Sequence, residues 1–338
     1  MLEKTTRKSA LPWLIALGLA APVAILLASL LGASGATPSQ LFSALISPED
    51  SPNKLILLNI RLPRILLSYI VGAALAMAGC AMQGLFRNPM ADAHVLGVSS
   101  GAAMGAAIAL VAPIAAVAQQ GLLSLLAFGG GLGAAFLVYW LSRVKGRTTP
   151  IGLLLSGIAV AALLSAGTSL MLMLNRSKLE RVLLWTMGSF STATWRNIWW
   201  SLPSILVGSI GCFVWARDLN AMLLGDEEAR MLGVRVGRGR VMVMLFATLA
   251  VSGAVSVSGV IGFIGLMVPH AMRFLVGPDH RRLLPASMLA GGLFLLLMDT
   301  LARTVAAPIE LPVGLLTSVC GGPFFLVMLR RHQKGESA

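Results

Sequence analysis

The sequence predicts an all-α, polytopic membrane protein, and three observations lead there. Of its 338 residues, 57% are hydrophobic and 12% charged, where a soluble domain has roughly a quarter charged. The apolar residues fall in runs of about 20, the length an α-helix needs to cross the hydrocarbon core. Short basic or Pro/Gly-rich stretches separate these runs, and none is large enough to fold as a soluble domain. A formal charge of +13 therefore reads as a topology signal carried by loops. It does not read as a nucleic-acid surface, because no basic stretch is interleaved with aromatics as a nucleic-acid channel requires.

The first apolar run, Leu11 to Leu31, follows Lys4, Arg7 and Lys8. It is longer than a signal-peptide core of about 7–15 residues, so it reads as an uncleaved span with a cytoplasmic N-terminus. Pro38 to Ile46 then reads as a short amphipathic helix on the outward side. Further spans are expected near Leu66 to Phe86, Val95 to Pro113, Leu122 to Leu141, Ile151 to Leu174 and Ile198 to Trp215. The last four are expected near Val241 to Val257, Gly262 to Val276, Leu283 to Leu301 and Val313 to Leu329. The Gly262 to Val276 span is short and contains Pro269, His270 and Arg273. Between spans, Asn175 to Trp195 mixes Arg176, Lys178, Glu180 and Arg181 with Leu183, Leu184 and Trp185. That composition suits the membrane interface.

About ten spans bring both termini to the cytoplasm. The basic groups Arg143/Lys145/Arg147, Arg230 to Arg240, Arg281/Arg282 and Arg330/Arg331 then all lie inside, as the positive-inside rule demands. Residues 1–338 read as one transmembrane domain, with 216–240 as a cytoplasmic segment within it. Gly97, Gly101 and Gly105 form a double GxxxG, and Gly129 with Gly133 forms another. Such faces let helix backbones approach closely in lipid, and lining a path is their less common use. Cys80, Cys212 and Cys320 sit singly in apolar runs, without metal or disulfide spacing.

Polar residues that could carry function are few. None of the six lysines sits in a G-x-x-x-x-G-K-[ST] arrangement, so the chain has no cradle for a nucleoside triphosphate. Any ATP-driven work needs a second chain. Leu223 to Val234 reads as a short helix with Asp226, Glu227 and Glu228 at its start and Gly233 at its stop, with Ala229 and Leu232 able to share a face. Residue pattern alone leaves two readings open: a face that docks on a partner, or a connector lying on the lipid surface.

Arg61-Leu62-Pro63-Arg64 places two guanidiniums on one turn at the outward mouth of the second span. They could take carboxylates of a partner, or snorkel to the interface as anchors. Arg87-Asn88-Pro89-Met90-Ala91-Asp92 is a turn between spans. Asp299 and Arg303, four apart, can meet as an ion pair on one helix face. Gln83, His270, Arg273 and Asp299 lie nearest to membrane depth, where polar groups are functional candidates by default. The other histidines, His94, His280 and His332, are placed in loops, so no metal site is expected. No G-x-S-x-G with a histidine partner suggests intramembrane hydrolysis.

Taken together, these segments resemble the permease family of ABC importers for iron-siderophores, haem and vitamin B12, the FecCD family. The resemblance runs from about Arg61 to Arg331. Its motifs are Arg61-Leu62-Pro63-Arg64, Gly79 to Gln83, Arg87-Asn88-Pro89 and Leu96-Gly97-Val98-Ser99-Ser100-Gly101-Ala102. Leu224-Gly225 to Leu232-Gly233, Gly262-Phe263-Ile264-Gly265-Leu266-Met267-Val268-Pro269-His270 and Glu310-Leu311-Pro312-Val313-Gly314 complete the set. Family members often carry Pro where this chain has Ala93, followed by His94.

The resemblance implies a vitamin B12 permease-like fold in the bacterial inner membrane, and a homodimer with the translocation path at its interface. It also implies two cytoplasmic ATPase subunits, which hold ATP and Mg, and a substrate-binding protein. The permease itself then has no cofactor and is no enzyme. By resemblance, Gly225, Asp226, Glu227, Ala229, Arg230, Leu232 and Gly233 form the coupling helix that meets the ATPase. Arg61, Arg64 and Arg303 accept acidic residues of the binding protein. Candidate path or gate residues are Gln83, Asn88, Pro89, Gly97, Ser99, Ser100, Gly101 and Arg176. The expected cargo is a ferric siderophore or related metal chelate, with haem, cobalamin or molybdate as alternatives on the same fold. An ion-coupled secondary transporter is a competing class, but it needs buried midplane carboxylates, and only Asp299 approaches that description.

Overall fold

The protein is described by a computed structural model covering residues 10–31, 52–113, 116–144 and 147–336. The expected helix at Pro38 to Ile46 and the N-terminal basic cluster lie outside the described residues. Helix α1 spans Leu11–Leu30. A short helix, α2 (Pro52–Ile56), leads through a π turn, Leu57–Arg61, into α3 (Leu62–Phe86). Then come α4 (Val98–Val111), α5 (Ala116–Leu141), α6 (Pro150–Leu174) and α7 (Leu179–Thr186). They are followed by α8 (Trp195–Val214), α9 (Ala216–Met222) and α10 (Asp226–Met231). Finally come α11 (Val236–Ser258), α12 (Ile264–Val276), α13 (His280–Thr304) and α14 (Val313–Glu336). The described exception to helix is a two-residue ribbon between α5 and α6, pairing Arg143 with Thr148 and Val144 with Arg147.

Seven of these helices are long and apolar enough to cross a membrane, and three shorter apolar ones coincide with expected spans: α4, α12 and the Val313–Met328 part of α14. Helix ends follow local chemistry. Pro63 follows directly on the π turn Leu57–Arg61, the irregular stretch where a helix can take in a residue without an N–H. At the other end, Arg87 closes the helix in the left-handed conformation (φ 50°) ahead of Asn88-Pro89. Thr149 caps α6 by accepting from the Gly152 N–H, and Asp279 caps α13 by accepting from Arg281.

The core is built on α3 and α11. Helix α3 is buried almost without a break from Val71 to Phe86, packed between α13, α11 and α12. Helices α1 and α6 sit at the periphery and leave most of their apolar side chains outward. In water such a surface would aggregate; in hydrocarbon it is the expected exterior. Close packing within the bundle depends on small residues. A Cβ added at Gly101 would lie 2.2 Å from the Gly130 carbonyl oxygen, and one at Gly105 would lie 2.0 Å from that of Leu126. Gly101 and Gly105 therefore press α4 against α5. The partner on α5 is Gly130, since Gly129 and Gly133 face open space. One residue along a helix turns the face by about 100°, and the GxxxG spacing in α5 selected the wrong stripe.

Candidate functional site

Charged and polar side chains gather at the two ends of the bundle. At one end, Arg64 of α3 reaches across to α13 and donates from Nε and Nη2 to Asp299 at 3.0–3.2 Å. Its Nη1 donates to Glu310 at 2.8 Å. Arg303 stands one turn beyond Asp299 and pairs with it at 3.3 Å. Arg61 donates to the Ser29 carbonyl of α1 at 3.0 Å. All three arginines are buried, and Asp299 is wholly so. They therefore neither snorkel nor stand exposed: they tie α1, α3, α13 and the segment before α14 together. Asp299 and Arg303 do form the expected pair. The partnership with Arg64 spans 235 residues, and no spacing rule reveals it.

At the other end, one carboxylate serves two arginines. Asp226, the first residue of α10, accepts from Arg87 at the end of α3 at 3.1 Å and from Arg240 of α11 at 3.0 Å. Arg240 also donates to the Thr148 carbonyl at 2.7 Å, just ahead of α6. A six-residue helix is thereby wired to three spans. Gly225 (φ +133°) and Gly233 (φ +82°) bracket it in conformations that L side chains rarely adopt. Ala229 is fully buried against the rest of the chain, whereas Leu224, Met231 and Leu232 are 64–81% exposed. The expected face shared by Ala229 and Leu232 does not exist, because Leu232 has already left the helix as its C-cap. Glu227 and Arg230 are exposed beside the apolar trio.

The α9 turn is fixed to α13 nearby. The Asn220 amide donates to Asp279 at 2.6 Å and its oxygen accepts from the His280 N–H at 2.8 Å. His280 is buried in the first turn of α13, which corrects the expectation of a loop histidine. Asp279 itself lies below its ordinary pKa: burial pushes it up, but the Arg281 N–H, the Asn220 amide and the charges of Arg281 and Arg282 outweigh that.

The candidate path residues do not converge. Gln83 is buried, donating to the carbonyls of Gly265 and Leu266 at 3.2 and 3.1 Å and accepting from Arg273 at 2.9 Å. The Asn88 side chain closes its own turn by accepting from the Met90 N–H at 2.9 Å. Pro89 lines an apolar cleft with His270, which is packed edge-on by Phe274 and Phe324. Gly97 starts α4 at φ +74°, Ser99 is hydrogen-bonded to His94, and Ser100 is half-buried. His94 also meets the Ile261 carbonyl at 3.0 Å, so it latches the turn before α4 onto the segment between α11 and α12. Arg176 is exposed in the turn before α7.

Helices of this length and apolarity, with their charges gathered at the bundle ends, define a multi-pass α-helical membrane protein. The FecCD transport family matches residues 20–331, and the chain belongs to that family: it is a permease subunit of an ABC importer. It is 46% identical over 274 residues to the cobalamin import system permease BtuC of Halobacterium salinarum, covering 81% of this chain and 73% of that one. It is 46% identical over 283 residues to the hemin transport system permease HmuU of Yersinia pestis, covering 83% and 84%. The Fe(3+) dicitrate permease FecD of Escherichia coli is 38% identical over 276 residues, covering 82% and 85%. Among solved structures, an inward-facing metal-chelate type ABC transporter superposes with a TM-score of 0.80 at 32% identity, covering 94% of this chain and 98% of that one.

Proposed function

We propose that the chain works as a homodimer in the bacterial inner membrane, with its termini in the cytoplasm, passing a metal chelate along the dimer interface. Two separate ATPase subunits bind ATP and Mg and drive it, and a substrate-binding protein delivers the cargo to the opposite face. The observation that carries this reading is the Asp226 junction, through which a short helix with an exposed apolar face is tied to α3, α11 and the start of α6. A push on α10 from an ATPase reaches three spans through charge-assisted bonds, and the bundle passes between outward and inward openings by rigid displacement of packed helices.

At the Arg64 end, the binding protein docks by offering an acidic side chain in place of Glu310. Glu310 is the displaceable partner, since its side chain is 39% exposed while that of Asp299 is 0% exposed. Arg61 and Arg303 then hold the mouth rather than meet the partner directly. Gly97 and Gly101 serve packing, and the path residues proper lie on the outward faces that dimerisation covers. Cargo choice leans towards a metal macrocycle: relatives named for cobalamin and hemin stand at 46% identity, against 38% for ferric dicitrate. Open-chain ferric siderophores and molybdate are the lesser readings.

Met231→Glu with Leu232→Asp tests the coupling face. Both side chains are exposed, so the permease should insert and dimerise normally while its ATPase no longer co-purifies and chelate-stimulated hydrolysis disappears. Normal co-purification with normal uptake of hemin, cyanocobalamin and ferric siderophores in vesicles would place the coupling contact elsewhere.

A further inference from the structure

We propose that an arginine-lined cleft beside α10 seats the phosphate of an anionic phospholipid, whose acyl chains run down the outer surface of α5 and α11. The cleft has a volume of about 560 Å³, within the range of pockets that hold small ligands. Four guanidiniums line it: Arg143 in the ribbon after α5, Arg230 of α10, and Arg238 and Arg240 in the first turns of α11. The lining carboxylate is Asp226, and it is already shared by Arg87 and Arg240. Among the described residues no carboxylate pairs with Arg143, Arg230 or Arg238. Arg240 is 93% buried, and its Nε has no hydrogen-bond partner among the described residues. A buried donor of this kind is costly unless an acceptor meets it. A phosphate offers several acceptor oxygens and matches the guanidinium fork.

The walls argue for a lipid over a soluble anion. On α5, Phe136, Tyr139 and Trp140 share one side by helical spacing, and Arg143 follows in the ribbon just beyond the helix. Tyr139 and Arg143 line the cleft, Trp140 stands at the level of Tyr139 with 63% exposure, and Phe136 continues one turn below at 69%. On α11, Arg238 and Met242 line the cleft and Leu245, on the same face, continues below it exposed. Helices α5 and α11 pack against each other, so two stripes, each basic at the rim and apolar beneath, run side by side. That is the profile of a headgroup with its chains, and an aromatic such as Trp140 belongs at that depth. An ATPase side chain would need only the rim. The exposed apolar trio of α10 offers that partner a surface of its own, and the cleft shares only Asp226 and Arg230 with the coupling helix.

The test is native mass spectrometry of the delipidated full-length permease titrated with phosphatidylglycerol or phosphatidylcholine. Phosphatidylglycerol should be retained in preference to phosphatidylcholine. Arg143→Gln with Arg238→Gln should weaken it by roughly tenfold or more, while Arg281→Gln with Arg282→Gln, at the same end but outside the cleft, should leave it bound. Phe136→Glu, which touches no arginine, should also weaken it. Equal retention of the two lipids, or equal losses in both arginine pairs, overturns the site. Displacement of the lipid by equimolar inorganic phosphate, with Phe136→Glu inert, reduces the cleft to a free-anion site and overturns the lipid. Loss of ATPase co-purification in the Arg143/Arg238 variant with lipid retention unchanged assigns the cleft to the ATPase and overturns it as well.

Discussion

The two ends of the bundle use the same chemistry to opposite purposes. Around Asp299, the carboxylate and the three neighbouring arginines are nearly or wholly excluded from solvent, and the pairings join distant spans. Around Asp226, the carboxylate is 33% exposed and Arg87 38%, with only Arg240 buried, and the element they hold is a single six-residue helix. A desolvated charge cannot leave its partners without a large penalty, whereas a half-wet one can exchange them for water. The first end clamps, and the second can transmit motion.

The sharpest break of this comparison is Asp299→Leu, which strands Arg303 in a dry site and leaves Arg64 with Glu310 alone. We expect a loss of about 3–5 kcal/mol of stability, read as a lowered unfolding midpoint in detergent and poor membrane yield. A near-native midpoint would mean that the cluster is hydrated and clamps nothing.

At the other end, Asp226→Asn should cost only about 1 kcal/mol, because Asp226 and Arg87 are partly exposed, buried Arg240 keeps the Thr148 carbonyl, and the Asn oxygen can still accept from it. Its effect belongs in function: ATP hydrolysis should persist while uptake per ATP falls roughly two- to thirtyfold, the span of a broken coupling of this size. Unchanged coupling would show that α10 works through its backbone and not through this junction.

Glu310, at the Asp299 end, is the most exposed of the three carboxylates, at 39%. Glu310→Gln should free Nη1 of Arg64 for an incoming carboxylate and tighten binding-protein docking by roughly two- to fivefold. Surface plasmon resonance against permease in nanodiscs reads this directly, and weaker docking would mean that Glu310 is itself a contact.

The difference between the ends also marks what the sequence could reveal. Spans were legible because hydrocarbon demands about 20 apolar residues wherever a helix crosses, and α6 and α11 fall within a few residues of expectation. The short α12 was the least legible span because Pro269, His270 and Arg273 interrupt it, yet it forms at Ile264–Val276 within two residues of expectation. Pairings were not: Arg64 finds Asp299 and Glu310 only once α3 and α13 are side by side. Arg240 looked like one more topology charge, yet it carries the link to Asp226 and Thr148. Its place one turn inside α11 emerges only from the structure, since the expected span began at Val241. The inward turn of Ala229 was unreadable because a helix of six residues has too few positions to define a face.

The smallest expected effect refines the α10 end by asking how α9 is held. Asp279 caps α13 and takes the Asn220 amide, so its ionised form secures the turn between α9 and α13. Because its folded pKa is depressed, the stabilisation is complete above the unfolded value of about 3.9 and is lost as pH falls through the folded one. Asn caps a helix about as well as Asp but lacks the charge that Arg281 and Arg282 favour, so Asp279→Asn should fall between the wild type and Asp279→Ala at pH 7. Asp279→Ala should cost about 0.5–2 kcal/mol at the same pH. Below about pH 4 the wild type should approach the Asn variant, as its carboxylate takes up a proton. Thermal midpoints of the solubilised protein at neutral and acid pH give the comparison. If the gap between wild type and Asp279→Asn stays constant with pH, the charge plays no part and the cap is held by geometry alone.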